Sequence, residues 1–264
     1  MKTKPSVIIK SAIIILIFLL SFYGKGIVTP YTGLTISGVF AGTLYYYSWW
    51  IIPTALTLGF LFGFRNIFKV TGLQKNLLTG LLFALLTVWP MLAGSAIIGK
   101  FNAGMDLGLL FRSTFLAGFM EEYLFRGFLF GILFRKYGWG FIPAALIGAV
   151  FFGSGHIYQG SNAGETIGIF IITAMGSLWF AWLFIEWREN LWIPVFLHIL
   201  MNLSWGLFDI SDNAMGGIAA NLFRIATIAL TIVITIFYHR KSGLKIRKNN
   251  LIVNKLSLRT TEEN

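Results

Sequence analysis

The sequence has no cysteine, and charge of either sign is scarce: Asp, Glu, Lys and Arg make up 12% of its 264 residues. The first absence excludes disulfides and cysteine-ligated metal sites. The second excludes an ordinary soluble domain, in which about 25% of residues are charged. Acid is rarer than base: only ten Asp and Glu occur, and none precedes Asp106. The resulting net charge of +11 does not read as a nucleic-acid surface. Lys and Arg stand at the ends of apolar runs and in a C-terminal tail, as topology signals and lipid headgroup contacts do. Membrane lipids are expected partners and nucleic acid is not.

Hydrophobic residues fill 56% of the chain, in runs that approach the ~20 residues needed to cross hydrocarbon. The fold class expected is all-α, a polytopic transmembrane helical bundle of about eight spans: 7–23, 37–64, 77–98, 107–133, 141–156, 166–185, 192–208 and 218–238. With both termini cytoplasmic, the inner segments hold Lys2, Lys4, Lys10, Arg65, Lys69, Lys75, Arg135, Lys136, Arg188 and the basic tail. The outer loops hold Lys25 and Lys100, with Asp209 and Asp212. The bias predicts an N-in/C-in topology. The bulky Ser21-Phe22-Tyr23 does not resemble a signal-peptide cleavage site, so the first span is expected to be retained.

Three segments follow: helices one to three over 1–106, a core over 107–239, and a basic tail over 240–264. The tail cluster from Arg240 to Lys248 is expected to lie on anionic lipid or to act as a stop-transfer flank, with His239 part of that flank. Pro53 is expected to kink the second span, and Trp49, Trp50 and Trp192 to anchor at the interface. Arg112 and Arg224 are expected to snorkel outward. Glu165, Glu186 and Glu189, at loop edges, call for no special role.

Against this background Glu121 and Glu122 stand out, adjacent carboxylates within an apolar run and followed by Arg126. An ionised group at a helix centre costs about 2.5–3.5 kcal/mol on insertion scales, which makes such residues candidates for function. Glu122 and Arg126 are i and i+4, one above the other on a single face. Glu121 points about 100° away, so one carboxylate can be a held anion and the other a freer base. His198 and Asn202 are likewise i and i+4 and could together donate to a developing oxyanion. His156, after the Gly153-Ser154-Gly155 break, could position water with a carboxylate. Helix rise places Glu121 and His198 both about 9 Å from the cytoplasmic side but His156 about 22 Å from it, an unreconciled depth.

These residues form three motifs in order: Glu121-Glu122-Tyr123-Leu124-Phe125-Arg126 fits E-E-x-x-x-R, Phe152-Gly153-Ser154-Gly155-His156 fits F-x-x-x-H, and His198-Ile199-Leu200-Met201-Asn202 fits H-x-x-x-N. Over roughly 112–207 the chain resembles the CPBP (Abi) family, the type II CAAX prenyl endopeptidases and bacteriocin-processing enzymes. The resemblance implies an intramembrane glutamate endopeptidase with a conical cavity open to the cytosol. It assigns water activation to Glu121 and His156, an oxyanion hole to His198 and Asn202, and support of the site or substrate to Glu122 and Arg126. The expected substrate is a membrane-associated peptide or lipidated protein, in a bacterial cytoplasmic membrane. No cofactor is expected; zinc held by Glu121, His156 and His198 is the alternative mechanism. A non-catalytic immunity or scaffold protein and a proton-coupled transporter are the alternative functions.

Overall fold

The computed structural model describes residues 5–34 and 36–254; Lys2, Lys4, Thr35 and the tail beyond Asn254 lie outside the described residues. The described chain is helical almost throughout, since in hydrocarbon every backbone N–H and C=O must be satisfied within the chain. We number the helices α1 (Pro5–Thr32), α2 (Val39–Phe62), α3 (Ile67–Thr71), α4 (Leu77–Ile98), α5 (107–136), α6 (Phe141–Ser154), α7 (Ala163–Glu186), α8 (Trp192–Leu207) and α9 (Ile218–His239). Polar residues set several starts: the side chains of Asn76, Asp106 and Asn162 accept from Thr79 N, Leu109 N and Glu165 N and cap α4, α5 and α7. Glu165 also accepts from Ser161 N and Oγ, which closes the α7 start.

All eight expected spans are helical, but they are unequal. Five helices are long and apolar enough to cross a membrane alone, and six if α2 and the bent segment after it count as one. The other two are special: α5 carries charge along its length, and α8, at 16 residues, falls short of a full span. The sharp turn after α2, 110°, comes at Gly63 with φ +85 rather than at Pro53, which stays inside a continuous helix. Trp50 is buried rather than interfacial, and Trp192 donates to the Leu73 carbonyl. Arg224 lies over the Trp205 ring, 4.5 Å from its centroid.

α5 occupies the centre. Every residue from 122 to 134 is buried, with α1, α2, α6 and α8 packed around it. α4 packs on α8 and α9, α6 on α7. One end of the bundle gathers the start of α1, the 63–76 turn, the 137–140 loop, the 187–191 loop and the tail. Trp139 Nε1 donates to Ser11 Oγ, Arg135 to Glu189 and the Val70 carbonyl, and Asn190 Nδ2 to the Asn76 carbonyl. These are the segments that charge counting assigned to the cytoplasmic side. The opposite end joins the 99–106 and 208–217 segments, through Lys100 N to Phe208 O and Asn102 N to Leu207 O.

The described part of the tail, residues 240–254, is bonded to the bundle. Gly140 N and Phe141 N donate to the Ile252 and Asn250 carbonyls, and Asn254 N donates to Gly138 O. Glu186, fully buried, accepts from Lys245 N at 2.8 Å and Ile246 N at 2.9 Å. His239 Nε2 contacts the Glu186 carbonyl at 2.6 Å. Two residues that sequence reading set aside, Glu186 and His239, thus clamp the tail over the end of the bundle. Glu189, also set aside, pairs with Arg135 at 3.0 Å.

Candidate active site

Glu121 and Glu122 lie between two π-helical stretches of α5, Arg112–Leu116 and Tyr123–Phe130. Such wide turns recur at functional sites because they redirect side chains. One turn earlier, Gly118 is where α8 crosses: a Cβ there would stand 2.8 Å from Ile199 Cγ1 and 3.0 Å from Ile199 N. Bare backbone at Gly118 therefore lets α8 close in and sets His198 against the glutamates. Sequence reading missed this residue, although a small residue four positions before Glu122 on the same face was its signal.

Glu122 has no exposed surface. Its Oε1 takes Arg126 Nη1 at 2.9 Å and His198 Nδ1 at 2.8 Å. The expected i,i+4 pair forms, and the same oxygen also ties α5 to α8. Arg126 is 1% exposed, and its guanidinium lies 5.0 Å from the Phe152 ring centroid and 5.3 Å from that of Phe180. Ion pairing and two aromatic faces offset the desolvation of this cation.

Glu121 is freer. It is 18% exposed, and its Oε2 is 3.8 Å from His198 Nε2, beyond hydrogen-bond length. Glu121 Oε2, Glu122 Oε2 and Arg126 Nη2 are buried with no partner within the protein. Interiors satisfy most buried polar groups, so three such atoms in one cluster mark a site shaped for something besides the protein.

His156 Nδ1 is 2.7 Å from the Phe152 carbonyl, and its ring lies over Phe152 with centroids 4.6 Å apart. When Nδ1 donates there, Nε2 carries the lone pair. Among the described residues no ion-pair contact joins His156 to either glutamate. The two are nevertheless level. α5 and α6 touch at Phe125 and Phe152, 5.1 Å between centroids, and Glu121 and His156 each stand four residues beyond that contact, in the same direction. Asn202 Nδ2 donates to the Ser113 carbonyl at 3.1 Å. That bond uses one of two amide donors.

Glu121 lies fifteen residues from Lys136 and His156 fifteen from Phe141, so the two stand at a similar distance from the same end of the bundle. α8 begins deep: Leu191 is fully buried beside Gly127. His198 reaches the level of Glu121 from there.

Among the described residues no group of three or more His, Asp or Glu could hold a metal ion. Glu121, His156 and His198 are not gathered into such a group; Nδ1 of His156 meets the Phe152 carbonyl and Nδ1 of His198 meets Glu122. No step is assigned to a metal.

Residues 103–204 match the family model described as type II CAAX prenyl endopeptidase Rce1-like. The chain is 32% identical over 94 residues to a Bacillus subtilis (strain 168) protein named "Putative membrane peptidase YdiL", over 36% of this chain and 34% of that protein. The chain thus spans about a third of the length of the curated relative it matches. No solved structure matches it. The matched segment contains all three motifs and the helices that bring them together, so that over residues 103–204 the chain is similar to the type II CAAX prenyl endopeptidases of the Rce1-like model.

Proposed function

We propose that this protein is an intramembrane endopeptidase that hydrolyses a membrane-associated peptide or lipidated protein in a bacterial cytoplasmic membrane. The observation that carries the reading is the linked series Arg126–Glu122–His198–Glu121, held in an apolar interior with its last carboxylate unengaged. The match of residues 103–204 to the Rce1-like family model supports peptide-bond hydrolysis, and the difference between the two glutamates supports the division of labour.

Glu121 takes a proton from water, whose oxygen attacks the scissile carbonyl carbon. His156, level with Glu121 and with Nε2 free to accept, orients that water. Negative charge develops on the carbonyl oxygen and is met by the second N–H of Asn202 and by His198 carrying a proton on each ring nitrogen, Nδ1–H toward Glu122 and Nε2–H toward the oxygen. As the C–N bond breaks, Glu121 returns its proton to the leaving amine. Glu122 and Arg126 position His198, and need not touch the reacting atoms.

The test compares membrane-associated peptides, by mass spectrometry, in cells carrying wild type, Glu121→Gln or His156→Ala. Both variants should accumulate an uncut peptide that wild type removes, with cleavage slowed about 10²–10⁴-fold, the range for general-base loss. A folded Glu121→Gln protein with wild-type processing would sink the reading in favour of a scaffold or immunity role.

A further inference from the structure

α5 and α8 run past each other through three close approaches. A Cβ at Gly118 would stand 2.8 Å from Ile199 Cγ1, Asn202 Nδ2 donates to the Ser113 carbonyl at 3.1 Å, and a Cβ at Gly206 would stand 3.0 Å from Leu110 Cδ1. Between the first and the last, α8 advances seven residues, from Ile199 to Gly206, while α5 runs eight, from Gly118 to Leu110. The π-helical stretch Arg112–Leu116 absorbs the extra residue. On either side of it the ladder is α-helical: Arg112 N reaches Gly108 O and Tyr123 N reaches Phe119 O, each four residues back. At the stretch itself Ala117 N reaches Arg112 O, five residues back, and Thr114 O, three back. It thereby passes over Ser113 O, the acceptor that an unbroken α-helix would give it. The carbonyl passed over is the one that takes Asn202. Ser113 Oγ and Thr114 Oγ1 both donate to the Leu110 carbonyl, at 3.3 and 2.7 Å, back-bonding of the kind that bends a helix.

We infer that this wide turn is a positioning device for Asn202: it frees the Ser113 carbonyl, which holds one amide proton and so aims the other at the reacting carbonyl oxygen. The inference rests on the peptidase reading and adds Ser113, through its backbone, to the residues that serve the reaction. The chemistry calls for such a device. An Asn amide has a donor end and an acceptor end of nearly the same shape. Only the donor end stabilises an oxyanion; the acceptor end repels it. A backbone carbonyl can only accept, so Ser113 O selects the Nδ2 end of Asn202 and fixes the rotation of the group. A straight α-helix has no carbonyl to spare here, since each is taken by the N–H four residues on. The wide turn supplies one without adding a charge to the apolar interior. Were the Asn202–Ser113 bond only a tie between helices, its loss would lower stability and leave the contribution of Asn202 to kcat untouched.

The test removes the extra residue. Deletion of Arg112 leaves Ser113 to Ala117 contiguous, so that the α-helical bond from Ala117 N to Ser113 O can close. The register shift then falls on 107–111, where no residue is buried. Arg112→Gln keeps the extra residue and controls for the lost charge. Cleavage is read on the full chain in nanodiscs with a quenched-fluorescent pool of apolar heptapeptides. Asn202→Ala should lower the apparent kcat about 10²–10³-fold, as loss of one oxyanion donor does. The deletion should lower it by about tenfold or more, with KM little changed, because it misaims that same donor. Added to Asn202→Ala, the deletion should cost nothing further, and Arg112→Gln alone should cleave like wild type. Equal losses on the wild-type and Asn202→Ala backgrounds overturn the inference, since a purely structural role lowers both alike. So does a folded deletion protein with wild-type kcat. If the deletion protein does not fold, the side-chain amide of Asn202 in the wild-type protein decides, read by NMR and assigned by its loss in Asn202→Ala. One of its two protons should exchange with solvent about tenfold more slowly than the other; equal exchange overturns the inference. A wild-type protein that shows this asymmetry and cleaves nothing removes the peptidase reading but not the bond. Cleavage with equal losses on both backgrounds removes the positioning role alone.

Discussion

Glu122 and Glu186 are both fully buried carboxylates in the same bundle, yet their surroundings differ in completeness. Glu186 receives two backbone N–H groups of the tail, one on each oxygen, and His239 packs against it at 3.5 Å. Nothing on that carboxylate is left over. Glu122 concentrates Arg126 and His198 on one oxygen and leaves the other without a protein partner, as are Glu121 Oε2 and Arg126 Nη2 beside it. A carboxylate that only joins segments is saturated by the chain it joins. One that serves a reaction keeps hydrogen-bonding capacity in reserve, at a cost in stability of about 1–3 kcal/mol for each unsatisfied buried group.

The largest expected effect comes from breaking the ion pair on the open side. Glu122→Gln leaves the Arg126 cation buried opposite a neutral amide, which should cost about 3–5 kcal/mol and abolish cleavage by releasing His198. Thermal unfolding of the purified protein measures the first and peptide hydrolysis the second. A variant as stable as wild type would mean that Phe152 and Phe180 alone hold the guanidinium, contrary to the comparison drawn above.

Geometry can be disturbed with the charges left in place. Gly118→Val inserts side-chain atoms where a Cβ would already crowd Ile199, so α8 must retreat and His198 move from the glutamates. A displacement of about 1 Å is enough for a loss near 10²-fold in kcat. The ratio of kcat values, measured at a temperature where both proteins are folded, checks this. Unchanged kcat would show that His198 need not be held so closely.

On the saturated side the effect should fall on stability rather than chemistry. Glu186→Gln turns an amide N–H₂ toward one of the two tail N–H donors, at a cost of about 1–3 kcal/mol. Limited proteolysis should then cut within residues 240–254, while peptide cleavage proceeds at the wild-type rate. If cleavage also fell, the tail clamp would be part of the working site and the two carboxylates less distinct than their contacts imply.

The contrast also explains what could be read from sequence. Apolar runs and the sidedness of Lys and Arg gave the helices and the grouping of their ends, because both follow from local composition. The Glu122–Arg126 pair followed from i,i+4 spacing on one helix. The contact of His198 with Glu122 did not, since it depends on how closely two helices approach, and that closeness rests on the absent side chain of Gly118. Glu186 was misread for a related reason: its partners are backbone N–H groups of Lys245 and Ile246, which carry no sequence signature. The level shared by Glu121 and His198 also depends on packing, because α8 starts beside buried Leu191 inside the bundle.

The smallest effect tests whether an unsatisfied group always signals function. Tyr137, at the end of α5 and outside the spans, is 5% exposed, and its hydroxyl is buried without a partner in the protein. Burial pushes its phenol up to about 12. No motif residue adjoins it in the chain, so the comparison assigns this hydroxyl a cost without a use. Tyr137→Phe should leave cleavage unchanged and raise stability slightly, by up to about 1 kcal/mol, as the unpaired hydroxyl is removed. The pH dependence gives an independent sign. A phenol harder to ionise in the folded state than in the unfolded one contributes nothing below pH 10, its ordinary range. Above that, the unfolded chain loses its proton first, and wild type loses stability as pH rises toward 12. Tyr137→Phe lacks this term, so its advantage over wild type should widen with alkaline pH in thermal unfolding scans. A constant difference would show that the hydroxyl is solvated in the folded state, and a loss of cleavage would make Tyr137 a working group like those beside Glu122.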